Sequence, residues 1–199
     1  MIKIAFIGAG SVQFTTAVVK DLTTYPAFDR AEICLMDINS YRLGEITTCV
    51  ERIKRDMESN IVITATTSRE EALTGADAVI CTVFNGDVDI WRHEIEIPMK
   101  YGVNINVGDT RSVSGIFRAL RNIPLMLDIC RDVERICPRA VMLNYTNPMV
   151  MLCKAMQTYT RVDVTGLCHS VQGTSKMLAE WAGVDYKDVD YTCVGINHM

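Results

Sequence analysis

The stretch from Ile4 to Phe14, IAFIGAGSVQF, decides how the rest of the chain reads. A short apolar run ends in Gly8 and Gly10, and Ser11 then opens a segment with helical spacing. Lacking side chains, the two glycines let the backbone bend tightly and approach a pyrophosphate held at the helix N-terminus. Gln13 stands where the third glycine of the G-x-G-x-x-G pattern belongs, so the loop carries that pattern incompletely. The next apolar run ends in LMDI, residues 35 to 38, and supplies what the loop lacks. Asp37 falls where a carboxylate accepts hydrogen bonds from an adenosine ribose and repels the 2'-phosphate of NADP. The plainer alternative is a glycine turn followed by an aspartate that caps the helix starting near Asn39. Position, strand context and spacing together favour an NAD site.

Outward from this stretch, short apolar runs alternate with longer helical segments. Residues 2–7, 32–37, 61–65, 77–83, 103–107, 140–143, 163–167 and 191–196 read as buried strands. Residues 41–58 and 116–136 have helical spacing, while Pro138 and Pro148 mark boundaries. The alternation predicts an α/β fold, a Rossmann-type doubly wound and mainly parallel sheet covered on both faces. Ligands of such sheets bind outside the carboxyl ends of the strands.

Those ends carry the polar residues. Asn85, Gly86 and Asp87 follow the fourth run; Gly108, Asp109 and Thr110 follow the fifth; Asn144, Thr146 and Asn147 follow the sixth. Cys168 and His169 follow the seventh, and Asn197 and His198 the eighth. Helix capping is an equal alternative for Asn85 and Asp109 taken singly. Cys168 and His198 supply a thiolate and an imidazole from two strands, a pair able to bind a divalent metal with positions left open. Softness alone points to zinc; a packed thiol beside a hydrogen-bonded histidine is the structural alternative.

Composition sets the bounds. The chain has 199 residues, 49% of them apolar, with a formal net charge of -4 and no linker, charge block or repeat. Its Lys and Arg are scattered, so nucleic acid is not an expected partner. No apolar stretch reaches membrane-spanning length and the start lacks secretory-signal features, so no membrane is expected and a cytoplasmic location is. Eight cysteines without a CxxC pair, mostly within apolar runs, read as reduced core thiols rather than a disulfide framework.

Taken in order, GAGSVQF, LMDI, VGDTRSVSGIFRALRNIP, NYTNPM, GLCHSVQGT and GINHM closely resemble the family 4 glycoside hydrolases, particularly their α-galactosidase branch. The resemblance runs from Met1 to Met199. It implies NAD+ and a divalent metal, usually Mn2+, as cofactors, and hydrolysis of an O-glycosidic bond through chemistry unlike the paired carboxylates of most glycosidases. NAD+ takes hydride from C3 of the sugar, the ketone acidifies the C2 proton, a base removes it and the aglycone leaves C1; water then adds and the hydride returns. Carried over by motif, Cys168 and His198 become the metal ligands and Asn147 a substrate-hydroxyl contact. Gly8, Gly10, Ser11, Asp37 and Asn85 hold the cofactor. The phospho-α-glucosidase branch has an acidic aspartate after the metal cysteine; His169 stands there, and an imidazole can donate the same proton. Phospho-specific members carry an arginine where Trp91 stands, with Arg92 adjacent, which implies an unphosphorylated hexoside.

Two departures accompany the resemblance. Val113 and Ser114 replace a glycine-rich pair after the fifth run. Family members are more than twice as long, and their second half supplies the base, much of the sugar pocket and the oligomer interface. Residues 1–199 are therefore expected to form the NAD-binding domain and the start of the metal site, with the C-terminal substrate domain absent and apolar surface exposed. A homo-oligomer is expected of the full-length enzyme. Two other readings stand beside this one, a hydroxy-acid dehydrogenase and an inactive NAD-binding remnant. A dehydrogenase needs a His–carboxylate pair and a substrate arginine, and the GLCHS and GINHM motifs speak against it.

Overall fold

The computed structural model describes residues 1–104 and 112–195. Its elements follow one another as β1 (Lys3–Ile7), α1 (Val12–Thr24), β2 (Glu32–Met36), α2 (Ser40–Asp56), β3 (Val62–Thr66), α3 (Arg69–Leu73) and β4 (Ala78–Cys81). Then come α4 (Val88–Met99), α5 (Val113–Ile136), β5 (Val141–Asn144), α6 (Met149–Tyr159), β6 (Asp163–Gly166) and α7 (His169–Ala182).

The strands form one sheet in the order β3-β2-β1-β4-β5-β6, and every neighbouring pair is parallel. Burial on both faces explains why β1 is apolar without alternation: Ile4, Ala5, Phe6 and Ile7 are all buried. The strand period of two divides them, Ile4 and Phe6 packing with Val19, Ile33, Leu35 and Ile46 beneath α1 and α2. Ala5 and Ile7 face the other way, onto Val79, Met126, Ile129, Met142 and Leu152 beneath α5 and α6. The chain order reverses between β1 and β4, which opens a crevice at the carboxyl ends of these two strands.

Among the described residues, six of the eight expected strands form. Tyr191–Gly195, the described part of the last one, is not a strand. It is exposed, Val194 at 87%, and pairs with no strand among the described residues; β propensity without a ladder does not hold a strand. Val103 and Asn104 are likewise outside any strand, and the rest of that run lies outside the described residues. All eight cysteines are free thiols, and Cys34, Cys81, Cys130, Cys137 and Cys153 are buried. Val113, Ile116, Phe117 and Leu120 leave an apolar stripe on α5 exposed, and Leu178 and Trp181 do so on α7. Among the described residues no helix is long and apolar enough to cross a membrane.

Candidate active site at the carboxyl edge of the sheet

Gly8 leaves β1 with φ +86, a left-handed conformation that side chains disfavour. A Cβ there would meet the Thr82 carbonyl oxygen at 2.8 Å. Glycine is therefore required twice over, by the backbone turn and by the close approach of the chain leaving β4. The loop is tied down on both sides. Gly8 N and Ala9 N donate to Met36 O at 3.0 and 2.9 Å, and Thr82 Oγ1 donates to Gly8 O at 2.8 Å. Thr15, buried in α1, donates its hydroxyl to Ala9 O at 2.8 Å. Ser11 stands at the N-cap of α1 but makes no side-chain bond to the helix amides. The first turn of α1 is thus left without a side-chain cap, the arrangement an anion completes.

Asp37, at the end of β2, grips the same loop. Its Oδ2 accepts from Gly10 N and its Oδ1 from Asn39 N, both at 2.8 Å. A Cβ on Gly10 would lie 2.7 Å from Asp37 Oδ2, so the second glycine is demanded by the carboxylate. The cap of α2 is Asn39, whose Oδ1 accepts from Arg42 N at 3.0 Å. Asp37 remains partly exposed beside the glycine loop.

Across the crevice, Asn85 follows β4 and is fastened to α5. Its Nδ2 donates to Arg121 O at 2.9 Å, while Arg121 Nε donates to Asn85 O at 2.6 Å. The cap of α4 is Asp87, which accepts from Ile90 N at 3.0 Å. Beneath this loop lies an ion cluster that the sequence reading missed. Glu94 is buried, and its Oε2 accepts from Arg118 Nε at 2.9 Å and pairs with Arg118 Nη2 at 2.8 Å. Arg121 Nη1 lies 2.6 Å from Glu94 Oε1, a charge contact without hydrogen-bond alignment. A signal existed, since Arg118 interrupts the buried face of the helix and Arg121 follows it three residues on.

The loop after β5 is built on a buried asparagine. Asn144 Oδ1 accepts from Thr146 N and its Nδ2 donates to Thr146 O, both at 3.0 Å. Thr146 Oγ1 accepts from Val83 N at 3.0 Å, joining the β4 and β5 loops. Asn147 follows, half-buried, its carbonyl accepting from Asn122 Nδ2 at 3.2 Å. Asn122 was also missed; it is fully buried, and its Oδ1 has no hydrogen-bond partner among the described residues.

Cys168 and His169 open α7 at the end of β6. Cys168 is the N-cap residue, half-buried, and its side chain does not bond the helix amides. Cys81, at the end of β4, is fully buried, and burial pushes its thiol up to about 12. The His169 ring lies 5.2 Å from Phe14 of α1 and 6.2 Å from Tyr145, themselves 5.6 Å apart. This aromatic trio brings the start of α7 against α1. His198, expected to be the second metal ligand, and Asp109 and Thr110 lie outside the described residues. Among the described residues no group of three or more His, Cys, Asp or Glu side chains gathers to hold a metal.

The strand order and this rim define a Rossmann-type, doubly wound α/β domain with its polar groups collected at the switch point. Residues 3–184 match the model of the family 4 glycosyl hydrolases, and the chain belongs to that family. It is 42% identical over 198 residues to an α-galactosidase of Rhizobium meliloti (strain 1021), covering 99% of this chain and 40% of the relative. An α-galactosidase of Bacillus subtilis (strain 168) is 39% identical over 200 residues, covering 100% of this chain and 46% of that protein. The chain therefore spans less than half the length of these relatives. The crystal structure of the 6-phospho-beta glucosidase of Thermotoga maritima, with manganese, NAD+ and glucose-6-phosphate, superposes with a TM-score of 0.82 at 25% identity. That likeness covers 94% of this chain and 44% of the Thermotoga one.

Proposed function

We propose that residues 1–199 form the NAD- and metal-binding part of a family 4 glycosidase that hydrolyses an unphosphorylated, α-galactoside-like hexoside. The observation that carries this reading is the gathering of Gly8, Gly10, Ser11, Asp37, Asn85, Asn147, Cys168 and His169 along one edge of the parallel sheet. The α-galactosidase relatives support the substrate class, and the manganese and NAD+ of the Thermotoga enzyme support the cofactors. A cytoplasmic location and homo-oligomerisation of the full-length form complete the reading. Family membership displaces the hydroxy-acid dehydrogenase alternative.

The loop fits a dinucleotide, because a Cβ at Gly8 or Gly10 has no room and α1 lacks a side-chain cap. When bound, NAD+ and the divalent cation supply a hydride acceptor for the sugar C3–H and a Lewis acid for its C2 and C3 oxygens. Gly8 and Gly10 keep the main chain bare for the pyrophosphate, and Ser11 presents the α1 amides to it. Asp37 retains lone pairs for the ribose beyond those given to Gly10 and Asn39. Cys168 and His198 would hold the cation, supplying a thiolate and an imidazole. Asn147 bonds a sugar hydroxyl, and the exposed His169 delivers a proton to the departing oxygen. Arg92 is engaged by Glu96 at 2.5 Å, which fits a sugar without phosphate at the Trp91 end of α4.

The test is hydrolysis of p-nitrophenyl α-galactoside by the purified protein under reducing conditions, with NAD+ and Mn2+ added singly and together, beside calorimetric NAD+ binding. The reading expects NAD+ to bind and any hydrolysis to require both additions. Failure to bind NAD+, or hydrolysis without it, overturns the reading.

A further inference from the structure

Phe84 and Trp91 are large apolar side chains at the crevice, 48% and 46% exposed. Phe84 lies between Val83, which is hydrogen-bonded to Thr146 beside Asn147, and Asn85, which is latched to Arg121. Trp91 sits in the opening turn of α4, its amide donating to Asp87 O at 3.2 Å. The link between them is tight. Gly86 has φ +116, and a Cβ there would press on Ile90 at 3.0 Å. A single guanidinium engages both rings, Arg118 Cζ lying 5.8 Å from the Phe84 centroid and 5.7 Å from that of Trp91. Arg118 is in turn held by buried Glu94 through Nε and Nη2. Two exposed aromatic rings are thus fixed from below by a neutralised pair, an arrangement that costs little further ordering when a ligand binds.

We propose that Phe84 and Trp91 form an aromatic platform on which the sugar ring stacks, making them specificity-determining residues for a neutral hexoside. The inference rests on the glycosidase reading and names its sugar-selecting surface. On one face of a galactoside the hydrogens of C3, C4 and C5 form an apolar patch with slight positive charge, which suits the negative face of an aromatic ring. The charge balance points the same way. Glu94 takes Nε and Nη2 of Arg118, the guanidinium that lies against both rings, on its own carboxylate. The platform therefore offers aromatic carbon in place of a cation, favouring a neutral ring over a phosphorylated or carboxylated one.

The chain has two tryptophans, Trp91 and Trp181, so Trp181→Phe leaves Trp91 as the only indole reporter. In that background, Trp91 emission is followed as methyl α-galactoside, galactose 6-phosphate or galacturonate is added to the NAD+-loaded protein, with circular dichroism confirming the fold. A saturable change with methyl α-galactoside is expected, weaker with both anionic sugars. Phe84→Leu should raise the galactoside Kd about three- to tenfold and leave NAD+ affinity unchanged. No Trp91 response in protein that binds NAD+, a response indifferent to Phe84→Leu, or tighter binding of either anionic sugar overturns the platform. Loss of NAD+ binding with the sugar response intact sinks the cofactor reading alone; loss of both sinks both.

Discussion

The two ends of the sheet's carboxyl edge are built differently. Around β1, β2 and β4 the polar groups close on one another: Asp37 holds Gly10 and Asn39, Thr82 holds Gly8, and Arg121 and Asn85 exchange hydrogen bonds. At the end of β6, Cys168 makes no capping bond, His169 is exposed and α7 carries exposed Leu178 and Trp181. The first region is shaped before any ligand arrives, and the second keeps its chemical groups available. A rigid cradle suits a large cofactor held by its backbone contacts. Open donors suit a metal and a proton transfer, which need unspent lone pairs.

The sharpest break of this contrast is Glu94→Ala. It leaves Arg118 and Arg121 without their buried counter-charge and is expected to cost about 3–5 kcal/mol, read from urea unfolding. Gly8→Ala follows, at roughly 2–4 kcal/mol, because left-handed strain and the clash with Thr82 add together. It should also abolish NAD+ binding, which calorimetry would show. On the open side, Cys168→Ser should change stability by less than about 0.5 kcal/mol while weakening Mn2+ binding, measured by electron paramagnetic resonance. Equal destabilisation by Gly8→Ala and Cys168→Ser would erase the distinction between the two ends.

Thiol reactivity sharpens it further. Burial pushes Cys81 up to about 12 and Cys130 to about 11, and raises Cys137 and Cys153 as well. Iodoacetamide on the native protein should therefore label Cys49, Cys193 and Cys168 and spare these four, with NAD+ and Mn2+ together slowing Cys168 alone. Mass spectrometry of labelled peptides would reveal fast labelling of Cys81, which would contradict its burial.

The smallest effect lies away from the rim, where Arg69 pairs with Asp128 at 2.7 Å and with Asp132 at 2.5 Å, joining α3 to α5. Burial pushes the Asp132 carboxyl up, but hydrogen bonds from Arg135 and Arg69 outweigh it and hold the group below its usual range. A depressed carboxylate stabilises fully above the unfolded value of about 3.9, and that contribution is lost as pH falls through the folded value. Asp132→Asn should flatten this acid limb of stability and leave NAD+ binding unaltered. Unfolding midpoints followed from about pH 6 to pH 2 would show a wild-type slope at least as shallow if the pair contributes nothing.

Much of the fold was legible because its signals are local. IAFIGAG and LMDI announce strand, tight turn and carboxylate within a few residues, and each stands where expected. The final run, residues 191–196, looked the same by composition but offered no information about whether a partner strand would be there. Asn85 read equally as a helix cap or a cofactor contact, yet Asp87 caps α4 and Asn85 spends its amide on a helix 36 residues away. Capping residues announce themselves in sequence only when donor and acceptor are close along the chain.

By itself, then, the sequence determined the alternation of strands and helices, the glycine turn and the row of polar residues at strand ends. All of these follow from backbone sterics and hydrophobic period, which act over a few neighbouring residues. Only the tertiary structure decided that one Glu94 carboxylate would be shared between two arginines, that Arg118 would seat Phe84 and Trp91, and that His169 would rest against Phe14 and Tyr145. Those contacts join distant segments, and burial changes what each charge and ring can do once water is removed from around it.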